Sequence, residues 1–136
     1  MKKLLFIFNP LAGKGFIRGH LPGVLDAFTK AGYLTTAYPT QSKGDATRAA
    51  AELGGEYDRV VCCGGDGTLS ETISGLLSLD PAPVLGYLPA GTTNDFSRNL
   101  KLPRGLEAAA RTAVTGPVRK CDVGRFNGKT FIYVAA

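Results

Sequence analysis

The sequence predicts an α/β fold, an open and mainly parallel sheet with helices on both faces, ending in a hairpin. Three observations carry that prediction. Apolar runs of strand length alternate with stretches whose apolar residues recur at helical spacing. The strand runs are nearly continuous in apolar residues, as strands covered on both faces are. The chain has 136 residues, 44% of them apolar and 20% charged, which suits one compact domain.

Each element can be justified in turn. Leu4–Phe8 is an unbroken apolar run and reads as a buried first strand. Leu21, Val24, Leu25 and Phe28 fall at i, i+3, i+4 and i+7, a helical stripe that Gly32 closes. Leu34–Tyr38 reads as the second strand. Ala46, Ala49, Ala50 and Leu53 repeat the helical spacing, with a start signal at Ser42 or Asp45 and a stop at Gly54-Gly55. Arg59–Cys63 is the third strand. Leu69, Ile73, Leu76 and Leu77 form the next helix, and Val84–Leu88 the fourth strand. Leu106, Ala109, Ala110 and Ala113 make the last helical stripe, ended by Gly116-Pro117. Val118–Val123 and Thr130–Ala135 read as two strands joined by a turn at Asn127-Gly128. The whole is a three-layer, Rossmann-like pattern.

Several function classes fall away. No apolar run approaches the ~20 residues of a membrane span. The apolar run after Met1-Lys2-Lys3 meets Asn9-Pro10 too soon for the ~7–15 residues of a secretory signal. Cys62, Cys63 and Cys121 make neither a disulfide framework nor a zinc spacing, and read as small core residues of a cytoplasmic protein. Residues 97–136 carry Arg98, Lys101, Arg104, Arg111, Arg119, Lys120, Arg125 and Lys129 against only Glu107 and Asp122. Such an excess favours phosphate groups, an anionic membrane surface or nucleic acid; the plain alternative is a solvated basic face with no partner, because the charges lack a tight cluster. Nucleic acid is not the expected partner, because these residues lack interleaved aromatics and no recognised module is present.

In a parallel sheet, ligands bind beyond the carboxyl ends of the strands. After the four candidate strands come Asn9-Pro10-Leu11-Ala12-Gly13-Lys14-Gly15, then Thr40-Gln41-Ser42-Lys43-Gly44-Asp45, then Gly64-Gly65-Asp66-Gly67-Thr68, then Pro89-Ala90-Gly91-Thr92-Thr93-Asn94-Asp95-Phe96. One such segment is a plain turn; four at one rim suggest a site. The Walker loop fails, since Phe8 and Gly15 stand where it needs glycine and Ser/Thr. The dinucleotide fingerprint fails at Arg18 and at Ser70. Gly64–Thr68 still suits a phosphate: glycines let backbone N–H groups approach, and a helix starting near Thr68 adds its positive end. Asp66 within that loop would repel phosphate unless a metal ion intervenes or it accepts a proton. It therefore implies Mg²⁺ with a nucleotide, or general-base work; as a plain alternative, Asp66 caps the helix. Asp95 and Asp122 end two further segments, and the three carboxylates could converge on one metal–water cluster.

Gly64-Gly65-Asp66-Gly67-Thr68 together with Pro89-x-Gly91-Thr92-x-Asn94-Asp95-Phe96-Ser97-Arg98 resembles the diacylglycerol kinase catalytic-domain family. Asn9-Pro10-x-Ala12-Gly13 and the Asp122-Val123-Gly124 step fit it as well. The first motif alone is shared with NAD kinases and 6-phosphofructokinases; the second makes the match specific.

The resemblance implies ATP bound by Asn9, Pro10, Leu11, Ala12, Gly13, Thr40, Gly64, Gly65, Asp66, Gly67, Thr68, Leu69, Ser70, Glu71, Gly91, Thr92 and Asn94. It implies a catalytic role for Asp66, and a Mg²⁺–water network on Asp66, Asp95 and Asp122. One departure is Ser70, where the family usually has asparagine before the retained Glu71. Family members also carry a β-rich second domain, which would begin about where this chain stops. Residues 1–136 are then expected to be the nucleotide-binding domain of a lipid kinase, acting on a lipid substrate at a membrane surface and inactive alone. Rival readings are a kinase for a soluble acceptor and a nucleotide-binding regulatory module without turnover.

Overall fold

The computed structural model describes residues 1–90, 105–126 and 129–135. The Gly91–Arg98 part of the second motif, with Thr92, Asn94 and Asp95, lies outside the described residues, as does the expected turn at Asn127-Gly128.

Six strands form one sheet: β1 (Lys2–Phe8), β2 (Tyr33–Pro39), β3 (Arg59–Gly64), β4 (Val84–Pro89), β5 (Val118–Phe126) and β6 (Lys129–Ala135). Their order is β2-β1-β3-β4-β6-β5, parallel throughout except for β5, which runs antiparallel to β6 at the edge. A short turn, α1 (Ala12–Gly15), precedes α2 (Ile17–Lys30); α3 (Asp45–Leu53), α4 (Asp66–Leu76) and α5 (Leu106–Thr115) follow. The expected open α/β sheet is the one observed.

The period-2 geometry of a strand splits β1 between two cores. Leu4, Phe6 and Phe8 join Val24 and Phe28 of α2 and Leu106, Ala109 and Ala110 of α5. Leu5 and Ile7 join Ala46, Ala49 and Ala50 of α3 and Leu69, Ile73 and Leu76 of α4 on the opposite face. Cys62 and Cys63 are fully buried, one in each core. Alanines line the helix faces because the helices sit close: a Cβ on Gly75 of α4 would collide with the Thr47 carbonyl of α3.

The consequence for function is topological. β2 lies on one side of β1 and β3 on the other, while α2 and α3 cover opposite faces. The chain thus diverges at the carboxyl ends of β1 and β3, which opens a crevice there.

Candidate functional site at the strand ends

A cavity of about 640 Å³ occupies this crevice, within the ~300–1,000 Å³ range of small-molecule sites. Its walls come from three loops: Asn9 and Leu11–Lys14 after β1, Thr40–Lys43 after β2, and Gly65, Gly67, Thr68 and Glu71 at the start of α4, with Ala46 below.

The first wall is built on Asn9. Its backbone N–H donates to the Cys63 carbonyl of β3 at 3.0 Å, and its side-chain oxygen accepts the Leu11 N–H at 2.9 Å, an Asx turn. The chain then passes through left-handed backbone at Gly13 (φ 57°) and Lys14 (φ 59°), followed by Gly15 (φ 80°). Positive φ at a lysine is a strained conformation of the kind that clusters at ligand sites.

The second wall is the start of α4. Gly65 holds the N-cap position in extended conformation, and no side chain caps the helix. The first intrahelical bond is Leu69 N–H to the Gly65 carbonyl, so the N–H groups of the preceding turn have no partner within the helix. Asp66 is the first helical residue and is exposed. The helix begins two residues earlier than expected, and the capping alternative for Asp66 does not hold. Among the described residues, no hydrogen bond or ion pair holds its carboxylate. Beneath the loop, the buried Tyr87 hydroxyl donates to the Gly64 carbonyl at 3.0 Å, and burial pushes its pKa up. The Ala90 N–H donates to the same carbonyl, fastening β4 to the loop.

The third wall hangs between two carboxylates. Glu71 Oε1 accepts the Gly44 N–H at 3.0 Å, and Asp45 Oδ2 accepts the Gln41 N–H at 2.8 Å.

Of the expected site residues, Asn9, Leu11, Ala12, Gly13, Thr40, Gly65, Gly67, Thr68 and Glu71 meet at the cavity. Pro10, Gly64, Asp66 and Ser70 adjoin it in the chain without lining it. The Leu69 side chain is buried in the core on the α3/α4 face, as the helical stripe through Ile73 requires, which leaves only its backbone for the expected nucleotide contact. Asp122 lies at another level of the sheet. It pairs with Phe131, and β6 meets β4 only from Leu85↔Val134 onward. Its level is therefore near the beginnings of the parallel strands, about seven residue steps or roughly 23 Å from the Pro89 end where Asp66 lies. Antiparallel β5 carries it away from the rim. Among the described residues, no cluster of three potential metal ligands forms. Lys14, Gln41, Ser42, Lys43 and Ala46 line the cavity although the motifs do not single them out; for the first four, their position in the segments after strand ends is the available signal, while Ala46 belongs to α3.

A family model for the diacylglycerol kinase catalytic domain matches residues 3–126. The chain belongs to this family. Among diacylglycerol kinases, that of Bacillus subtilis strain 168 is 44% identical over 137 residues, covering 99% of this chain and 45% of the relative. That of Staphylococcus saprophyticus is 42% identical, with the same coverage. A crystal structure of a diacylglycerol kinase from Bacillus anthracis strain Sterne matches with a TM-score of 0.83 at 35% identity, over 93% of this chain and 48% of that one. The chain thus spans less than half the length of the diacylglycerol kinases it matches. Among the described residues, no helix is long and apolar enough to cross a membrane.

Proposed function

We propose that the chain is the nucleotide-binding domain of a lipid kinase that transfers the γ-phosphoryl group of MgATP to the hydroxyl of a diacylglycerol-like lipid. The observation that carries this reading is the switch-point cavity, walled by glycine turns and by an uncapped helix N-terminus.

The residues present fit a nucleotide triphosphate. A Cβ at Gly65 or Gly67 would meet nothing within 4 Å, so backbone N–H groups there are open to close approach by phosphate oxygens. The start of α4 supplies those donors and a partial positive charge. Lys14 and Lys43 add full charges to the opposite walls. Thr40, Gln41 and Ser42 offer polar groups for the rest of the nucleotide. By family resemblance, Gly91, Thr92 and Asn94 would also contact the nucleotide.

Asp66 is the group of this chain that would face the reacting oxygen. In the reaction the lipid oxygen bonds to phosphorus, the bond from the γ-phosphorus to the bridging oxygen breaks, and the hydroxyl proton leaves. Asp66 would either take that proton or help to hold Mg²⁺ through water. Its carboxylate, unpaired among the described residues, suits both tasks, and by family resemblance Asp95 would share the second. Mg²⁺, when bound, neutralises charge on the phosphates, which is most of what phosphoryl transfer requires. A β-rich second domain would cover the open side of the cleft, so this chain alone binds nucleotide but does not turn over. The basic residues of 97–136 would meet an anionic membrane.

Two measurements test the reading. Amide shifts on adding MgATP should cluster at Asn9–Gly13, Thr40–Lys43 and Gly65–Glu71; shifts confined elsewhere would sink it. The complete polypeptide should phosphorylate diacylglycerol in vesicles, and phosphorylation of NAD or a sugar phosphate instead would favour the soluble-acceptor alternative.

A further inference from the structure

Beside the cavity, and not lining it, lies a buried charge that neither the nucleotide nor the phosphoryl chemistry explains. Asp45 at the start of α3 is 4% exposed, the only buried carboxylate or cationic side chain among the described residues. Burial of a carboxylate is costly unless donors surround it. Three do. The Gln41 backbone N–H donates at 2.8 Å, the Tyr38 hydroxyl lies 3.0 and 3.1 Å from the two oxygens, and the Arg48 guanidinium pairs with Oδ1. These donors, the Gln41 N–H foremost, hold the carboxyl below the ordinary aspartate range.

A helix start needs none of this, because Gly44 holds the N-cap position and no side chain caps α3. What the carboxylate does hold is the loop that walls the cavity. Thr40 is tied to the Phe8 carbonyl of β1 at 2.8 Å, and Gly44 to Glu71 at the far end. Between these ties, Gln41, Ser42 and Lys43 face the cavity; the Asp45 N–H also donates to the Ser42 carbonyl and Gln41 Nε2 to the Pro39 carbonyl, but the bond from the Gln41 N–H to the Asp45 carboxylate is the one that joins this loop to a buried charge.

We propose that Asp45 is a positioning residue for the nucleotide, holding the Thr40–Gly44 loop in its binding shape through the Gln41 N–H. It rests on the nucleotide reading above. A loop already in its bound shape spares the ordering cost that a free loop meets on binding. Asparagine is a poor replacement for the carboxylate: the charge is lost, one acceptor oxygen remains for the three groups, and the NH₂ has no acceptor in the Arg48 guanidinium, although the Tyr38 hydroxyl could turn to accept it.

Calorimetric titration of MgATP into the wild-type chain and Asp45→Asn, at a temperature where circular dichroism shows both folded, tests this. Loss of the charge and of one of the two acceptor oxygens should weaken Kd about tenfold. A variant that melts earlier yet binds with wild-type Kd would overturn the proposal, since a purely structural aspartate does only that. A wild-type chain without MgATP binding overturns the nucleotide reading, and this one with it. If Asp45→Asn does not fold, hydrogen exchange of the wild-type chain decides. The Gln41 amide must be protected before nucleotide is added; free exchange until MgATP binds would refute a preset loop.

Discussion

Gly13 and Ala90 meet so closely that no side chain fits between them: a Cβ on Gly13 would run into the Ala90 carbonyl oxygen. The turn after β1 is thereby seated on the end of β4, two strands away in the sheet. Gly13 also has φ 57°, which any L side chain adopts at a cost. Gly13→Ala should therefore lower stability by more than about 1 kcal/mol, read from urea unfolding. It should weaken MgATP binding as well, because the wall itself moves.

Gly67→Ala should separate the two properties. Gly67 lies in the first turn of α4 with open space around its Cα and no positive φ. Alanine there is expected to raise stability by roughly 0.5–1 kcal/mol through helix propensity. The new methyl group would nevertheless stand at the cavity wall where the phosphates are proposed to bind, so MgATP affinity should fall. Unchanged calorimetric affinity would mark Gly67 as an ordinary helix residue.

Asp66→Asn should leave the fold almost untouched. No cap bond is lost, and the remaining effect is a surface charge near a helix N-terminus, typically ~0.3–1 kcal/mol. Turnover of the complete polypeptide should drop by ~10²–10⁴, the usual range for a lost general base. Activity within about threefold of wild type would end the catalytic assignment.

Acid should unfold the protein partly through Asp45 and Glu107. Both carboxyls are held below their ordinary values, Asp45 mainly by the Gln41 N–H and Glu107 mainly by His20 at 2.8 Å. A depressed native pKa means that the unfolded chain binds the proton more readily. Their contribution is therefore full above the unfolded-chain values of about 3.9 and about 4.3, and fades as pH falls through the native ones. Urea midpoints should be flat from pH 7 to 5 and drop towards pH 3. Asp45→Asn should show a shallower drop.

Much of this architecture is legible in the sequence, for a physical reason. Phe28 and Val24, or Ile73 and Leu76, can share a helix face only at helical spacing, and Leu4–Phe8 can be buried on both sides only within a covered sheet. The turn signal at Asn127-Gly128 reveals that β5 and β6 run antiparallel, but strand order depends on partners far along the chain, so spacing does not reveal that β6 rather than β5 joins β4, nor the level at which Asp122 lies. The glycine turns are legible because glycine answers a backbone need that spacing reveals. Asp45 reads only as a helix start in the sequence, since its burial is created by Tyr38, Gln41 and Arg48 folding around it.

The place of β1 between β2 and β3 also bears on how the chain is made. Leu4–Phe8 is synthesised before either neighbour, and its second edge stays open until Arg59–Gly64 exists. At about 5–20 residues per second, that leaves an apolar strand unpaired for some seconds on the ribosome. Such a segment is where nascent chains associate wrongly or recruit chaperones. Lys2 and Lys3 stand directly before it, two charges of the kind that discourage strand-to-strand aggregation.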